Sequence, residues 1–96
     1  MKYTTKAKNI MNVPMVLESF SDDDSLYGFY WEGDNSKWGI SDCGTVTELI
    51  NRINGLISLS HEQLAEAKDK NFDTLIKALT QELNIYNELL QVIINM

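Results

Sequence analysis

The chain has 96 residues, 44% of them hydrophobic and 23% charged, with a formal net charge of -6. That size and composition fit one small domain of ordinary soluble character, with a thin stability margin. A lone cysteine, Cys43, excludes an intramolecular disulfide and suits a reducing cytoplasm; no stretch reads as a secretory signal or as a membrane span.

The charge is zoned. Residues 1–12 hold Lys2, Lys6 and Lys8 and no acid, and residues 13–42 hold seven acids against Lys37 alone. The remaining residues set seven acids against four bases, and Arg52 is the only arginine. Proteins that grip phosphate backbones concentrate Arg and Lys on one face, so direct nucleic-acid binding is not expected. An acidic surface favours a protein partner with a basic one, through steering and charge complementarity. Acidity that serves solubility alone is the plainer alternative.

In chain order, residues 1–12 read as a flexible arm or a short helix, because Tyr3, Ala7 and Ile10 fall at helical spacing. From Val13 the pattern alternates, predicting strands over about 13–20, 26–32 and 37–41. The polar stretches Ser21–Ser25 and Gly33–Ser36 supply the turns. Pro14 lacks an N–H and fits a strand start or an edge. Thr45 and Glu48 form a capping box that opens a helix over about 45–58, and Ser60 with Gln63 forms a second that opens another over about 60–95. Unbroken from His61, that second helix would be roughly 50 Å long, more than a domain of this size accommodates, so either it breaks near residue 70, with Asn71 as the cap of a separate helix, or it projects and pairs with something. The class is therefore α+β: a three-stranded antiparallel meander packed against C-terminal helices, in a single domain.

The turns also fix the registers. A four-residue loop at Gly33–Ser36 pairs Glu32 with Lys37, Trp31 with Trp38 and Phe29 with Ile40. A five-residue loop at Ser21–Ser25 pairs Phe20 with Leu26, Leu17 with Phe29, Val16 with Tyr30 and Met15 with Trp31. Both registers send Met15, Leu17, Phe29, Trp31, Trp38 and Ile40 to the face that the helices cover. Val16, Glu18, Phe20, Leu26, Gly28, Tyr30, Lys37 and Gly39 take the other face, a candidate contact surface if nothing covers it.

Little in the sequence carries chemistry. Cys43 with His61 as a base has no third group to orient the imidazole, and a buried structural Cys is the better reading. The Asp22–Asp24 run lacks the alternating spacing, the Gly and the distal Glu of a calcium loop. The glycines form no phosphate-cradling pattern. No enzyme activity, cofactor or metal is expected. The contact residues that remain are Asp22, Asp23, Asp24, Tyr30, Glu32, Asp34 and Asn35. On the second helix, Ile76, Leu79, Leu83, Tyr86, Leu90 and Ile93 recur in steps of three and four. Such a seam is either core or a homodimer interface.

In layout, a small acidic sheet plus helices, the chain is similar to many phage- and mobile-element-encoded inhibitors, anti-CRISPR proteins among them; the similarity is one of architecture and rests on no motif. It implies a non-enzymatic, protein-binding viral inhibitor that blocks a basic nucleic-acid-binding surface. Two further readings stand beside it: a small dimeric adaptor or chaperone that binds a client segment, and a small-ligand sponge.

Overall fold

The alternation from Val13 onward builds the middle of the sheet. The computed structural model describes residues 1–33 and 43–96. Strand β2, Pro14–Ser19, pairs antiparallel with β3, Tyr27–Trp31, with Met15 opposite Trp31, Val16 opposite Tyr30 and Leu17 opposite Phe29. These are the pairs that the five-residue loop requires, and the Phe20 N–H donates to the Leu26 carbonyl at 2.8 Å to close it. A short β4, Cys43–Gly44, pairs antiparallel with the start of β3, so that Gly28 faces Cys43. Continuing the Glu32–Lys37 register would have put Ser41 there. The difference from that register is two residues. The expected strand over 37–41 lies outside the described residues.

Residues 1–12 are neither arm nor helix. Lys2–Lys8 form β1, antiparallel to β2, and the described sheet has the order β1-β2-β3-β4. Tyr3, Thr5 and Ala7 point toward the helices, and Lys2, Thr4, Lys6 and Lys8 point outward. The helical spacing of Tyr3, Ala7 and Ile10 hid this two-residue alternation. A row of lysines on an edge strand also discourages pairing with another sheet.

β1 is not a regular strand. Thr4 faces Val16 and Lys8 faces Pro14, so β1 spends two more residues than β2 over the same stretch. The excess is a bulge, which takes N–H groups out of the ladder. The Thr5 hydroxyl fills part of the gap: its Oγ1 donates to the Ala7 carbonyl at 2.8 Å and accepts from the Met15 N–H at 3.0 Å. Glu88 fills the rest. Its carboxylate accepts from the Lys6 N–H at 2.6 Å, the Ala7 N–H at 2.9 Å and the Tyr3 hydroxyl at 2.6 Å. Beyond the bulge, the Asn9 side chain holds the tight return to β2 by accepting from the Met11 and Val13 N–H groups, both at 2.9 Å.

The helices differ from expectation at one boundary and agree at another. The Thr45–Glu48 capping box forms as read, with the Glu48 N–H donating to Thr45 Oγ1 at 3.3 Å. Helix α1 then runs unbroken over Val46–Asp69, through the predicted stop at residues 58–60. Ser60 is no cap: it is 5% exposed, a small residue in the helix–helix contact. Of the two alternatives for the long helix, the chain takes the break near residue 70. Asn71 takes a left-handed conformation (φ 59), its N–H donates to the Lys68 carbonyl, and the Phe72 N–H donates to the Ala67 carbonyl at 2.9 Å. That pair of bonds is a Schellman closure, so Asn71 ends α1 rather than capping the next helix. Helix α2 follows over Asp73–Ile94, with no side-chain cap at its start.

α1 and α2 form an antiparallel hairpin laid against the inner sheet face. Leu17, Ile53, Ile85 and Leu89 have no exposed surface, and Met15, Phe29, Leu49 and Ile93 close the core around them. Each such side chain contributes on the order of 1.5–3 kcal/mol of burial. At about 1.5 Å per residue α1 is about 36 Å long, so the hairpin sets the 47 Å long axis of the molecule. Among the described residues no helix is long and apolar enough to cross a membrane.

Burial raises the Glu88 pKa, but the hydrogen bonds from Tyr3, Ala7 and Lys6 outweigh it and hold the carboxyl below its ordinary value of 4.5. A depressed carboxylate stabilises the fold above its unfolded pKa, and the stabilisation is lost as pH falls through the folded one. Glu88→Ala leaves two N–H groups and a hydroxyl without their acceptor, for an expected loss of about 2–3 kcal/mol. Urea unfolding as a function of pH checks this, and Glu88→Gln should flatten the acid limb of the curve.

Candidate functional site

The turn between β2 and β3 is built by short side chains bonding nearby backbone. Ser21 Oγ accepts from the Ser25 N–H at 2.9 Å and the Leu26 N–H at 3.0 Å, while Asp24 sits in the left-handed region (φ 55). Asp23 Oδ1 accepts from the Ser25 hydroxyl at 2.7 Å and its N–H at 3.1 Å. The Ser25 hydroxyl above all, then Ser21 and the Ser25 N–H, hold the Asp23 carboxyl below the usual carboxylate range. Asp22, Asp23 and Asp24 are all exposed. The result is a preorganised acidic corner, with Asp24 3.8 Å from the Met1 amino group.

Of the other candidate contact residues, Glu32 and Tyr30 do not join this corner. Glu32 is exposed at the opposite end of β3, where its N–H donates to the Pro14 carbonyl at 3.0 Å. Six strand steps from Leu26 put it about 20 Å from the turn. Tyr30 is 7% exposed, and its hydroxyl donates to Glu18 Oε1 at 2.6 Å. Asp34 and Asn35 lie outside the described residues.

The outer sheet face is also less open than its composition suggests. Val16 is 2% exposed, Gly28 is buried, and the Phe20 ring lies so close over Gly28 that a Cβ there would collide with it. The sheet covers its own centre with Phe20 and Tyr30.

The seam of α2 is filled from within the chain. Leu79, Leu83, Tyr86 and Ile93 are buried, with Ile76 and Leu90 half-buried beside them, against α1 and the sheet. A homodimer through this seam would have to open the core first. Phe72, which continues the seam in sequence, is instead 53% exposed. With Leu75 (45%) and Ile10 (41%) it forms an apolar end to the hairpin. Two grooves flank Phe72, one of about 310 Å³ against Ala67 and Lys70 and one of about 470 Å³ against Ile10 and Ala78. Sequence periodicity missed this patch, since Phe72 keeps the spacing of the residues that are buried.

The nucleophile pairing weighed from sequence is not assembled. Cys43 is exposed in the two-residue β4, ahead of α1, and not buried as expected, whereas His61 is exposed sixteen residues beyond the Thr45 cap, about 24 Å along the helix. Among the described residues no three His, Cys, Asp or Glu side chains gather as a metal site. No protein-family model matches the chain, and no curated protein or solved structure matches it significantly.

Burial first, then the bond to Glu18 and the Glu18 and Glu32 charges, push the Tyr30 phenol up to about 12. Its contribution to stability is fully present below the ordinary tyrosine pKa of about 10 and is lost as pH rises from there through the folded value of about 12. Ultraviolet titration should show this late phenol, and Glu18→Gln should bring it only part of the way down, because burial remains. Leu83→Asp should unfold the protein rather than leave a folded monomer, at a cost of more than about 3 kcal/mol measured by denaturation.

Proposed function

We propose that the chain is a non-enzymatic protein-binding inhibitor that acts in the cytoplasm by covering a basic surface of a partner. The observation that carries the reading is the corner Ser21–Ser25: three exposed aspartates on a turn whose hydrogen bonds are already made. A preformed turn loses little entropy on docking, and fixed like charges speed encounter with a positive surface. The net charge of -6 adds long-range steering in the same sense. A nucleic-acid-handling defence complex fits as target, since its phosphate-binding groove is rich in Lys and Arg. Occupying that groove would exclude nucleic acid, as a phage or mobile-element inhibitor would do. Neither direct nucleic-acid contact nor membrane contact is part of this reading.

A second reading, an adaptor that takes up an amphipathic client segment, is favoured by the apolar end at Ile10, Phe72 and Leu75. The two differ in salt dependence. In the first, replacing Asp22, Asp23 and Asp24 by Asn slows association by about tenfold or more at low salt and flattens its dependence on ionic strength. Kinetics unchanged by the triple substitution would remove the charge mechanism. Binding that is insensitive to salt but lost on Phe72→Ser favours the client-binding role.

A further inference from the structure

One flank of α1 carries a charge pattern that reads the same as its own complement in reverse. Glu48, Arg52, Gly55, Leu59, Gln63, Glu66 and Lys70 are all exposed, and they succeed one another in steps of 4, 3, 4, 4, 3 and 4 residues. Those steps average about 3.67 residues per turn, close enough to the 3.6 of a straight helix that the stripe stays on one side for the full length. It lies beside the face that packs on α2, which uses Leu49, Ile53, Ser60 and Ala67.

The steps are symmetric about Leu59, and so is the chemistry once a second copy is laid antiparallel. Each position then faces the one equally far from Leu59 on the other side. Glu48 meets the partner's Lys70, Arg52 meets the partner's Glu66, Gly55 meets the partner's Gln63, and Leu59 meets the partner's Leu59. Every charge finds its opposite, the one uncharged polar side chain lies over the residue with no side chain, and the apolar residue falls on the axis. Within one chain Lys70 Nζ already holds Glu66 Oε1 at 2.8 Å. The partner's Arg52 and Glu48, one helical turn apart, would complete an alternating quartet of charges, twice per dimer. Among the described residues a groove of about 590 Å³ runs past Arg52, Gly55 and Leu59, and none lies within 4 Å of a Cβ built on Gly55. Leu59 is 49% exposed, a large apolar group at the middle of an otherwise polar stripe.

We infer that two copies of this chain associate through the Glu48–Lys70 flank of α1, antiparallel and two-fold symmetric about Leu59. The stripe is electrically balanced, two acids against two bases, in a chain of net charge -6. A uniformly basic or acidic partner would meet as many repulsions as attractions here; in a reversed copy every directly facing charge is opposite. With one apolar layer and exposed ion pairs the dimer is weak, with a dissociation constant on the order of micromolar, and it loosens with salt. It leaves the α2 seam inside each chain and the acidic turn outside the contact.

Sedimentation equilibrium of the full chain over a range of concentrations tests this. The expected result is a reversible monomer–dimer equilibrium that Leu59→Asp shifts to monomer while the circular dichroism of the helices is unchanged. Arg52→Glu and Glu66→Arg should each weaken association by about tenfold, and the two together should restore it, because the double exchange recreates the complementary pattern. Restoration is the decisive arm, since a purely structural role for either residue would not give it. Independently, Leu59→Cys in a Cys43→Ser background should form a disulfide-linked dimer under mild oxidation. A chain that is monomeric at every concentration overturns the proposal, as does a dimer that survives Leu59→Asp and both single charge reversals.

Discussion

The fold hinges on how the bulge in β1 is satisfied. Two extra residues between Thr4 and Lys8 lift the Lys6 and Ala7 N–H groups off the β2 ladder. Left to themselves, such groups at a half-buried edge cost free energy and admit water to the core beneath. Glu88 removes that cost with one carboxylate, which takes both N–H groups and the Tyr3 hydroxyl together. These bonds span 81 to 85 residues of sequence, so they tie the first strand to the last helix. Without them β1 would depend on a broken ladder, on the buried Thr5 and its hydrogen bonds, and on Tyr3 and Ala7, which are only half-buried.

The long hairpin follows from a similar trade between size and closeness. An α1 of 24 residues has more surface than a sheet this small can cover. Near the sheet, the inward positions of α1 are large: Leu49 and Ile53. Farther out they are small: Ser60 and Ala67. Small residues let α2 approach closely where no sheet stands behind the pair, and Leu79 and Leu83 of α2 stay buried there. Beyond that zone, at Phe72 and Leu75, the hairpin has nothing left to pack against, and apolar side chains come to the surface. The flank of α1 is exposed for the same reason, over nearly its whole length.

Much of this was legible in the residues, and the parts that were not share a cause. The β2–β3 register could be read because the turn Ser21–Ser25 fixes the pairing by chemistry confined to five residues. The capping box at Thr45 and the break near residue 70 are equally local. What escaped depends on distant partners. β1 alternates correctly, but its helical-looking triplet Tyr3, Ala7, Ile10 is resolved only by Glu88. Ser60 has the composition of a cap, yet a helix facing it turns it into a packing residue. Tyr30 looked available on an open face, and its bond to Glu18 with the Phe20 ring alongside made it interior. Phe72 keeps the period of the buried seam and is exposed because the neighbouring layer ends before it.

The same geometry keeps charge and contact apart along the molecule. The acidic turn sits where β2 and β3 meet, close to the strand that leads into α1, and hydrogen bonds to and beside Ser21 and Asp23 hold its shape. The balanced stripe runs away from it along α1, using side chains that contribute little to the core. A contact made on the stripe therefore leaves the turn free to engage a second surface. In an antiparallel dimer the two turns are carried toward opposite ends of the paired helices, separated by roughly the 36 Å length of α1. Two weak acidic contacts at that spacing on one extended basic surface would reinforce each other through effective concentration. A small chain whose single acidic corner is a modest ligand gains reach from pairing without adding any new contact to the sheet.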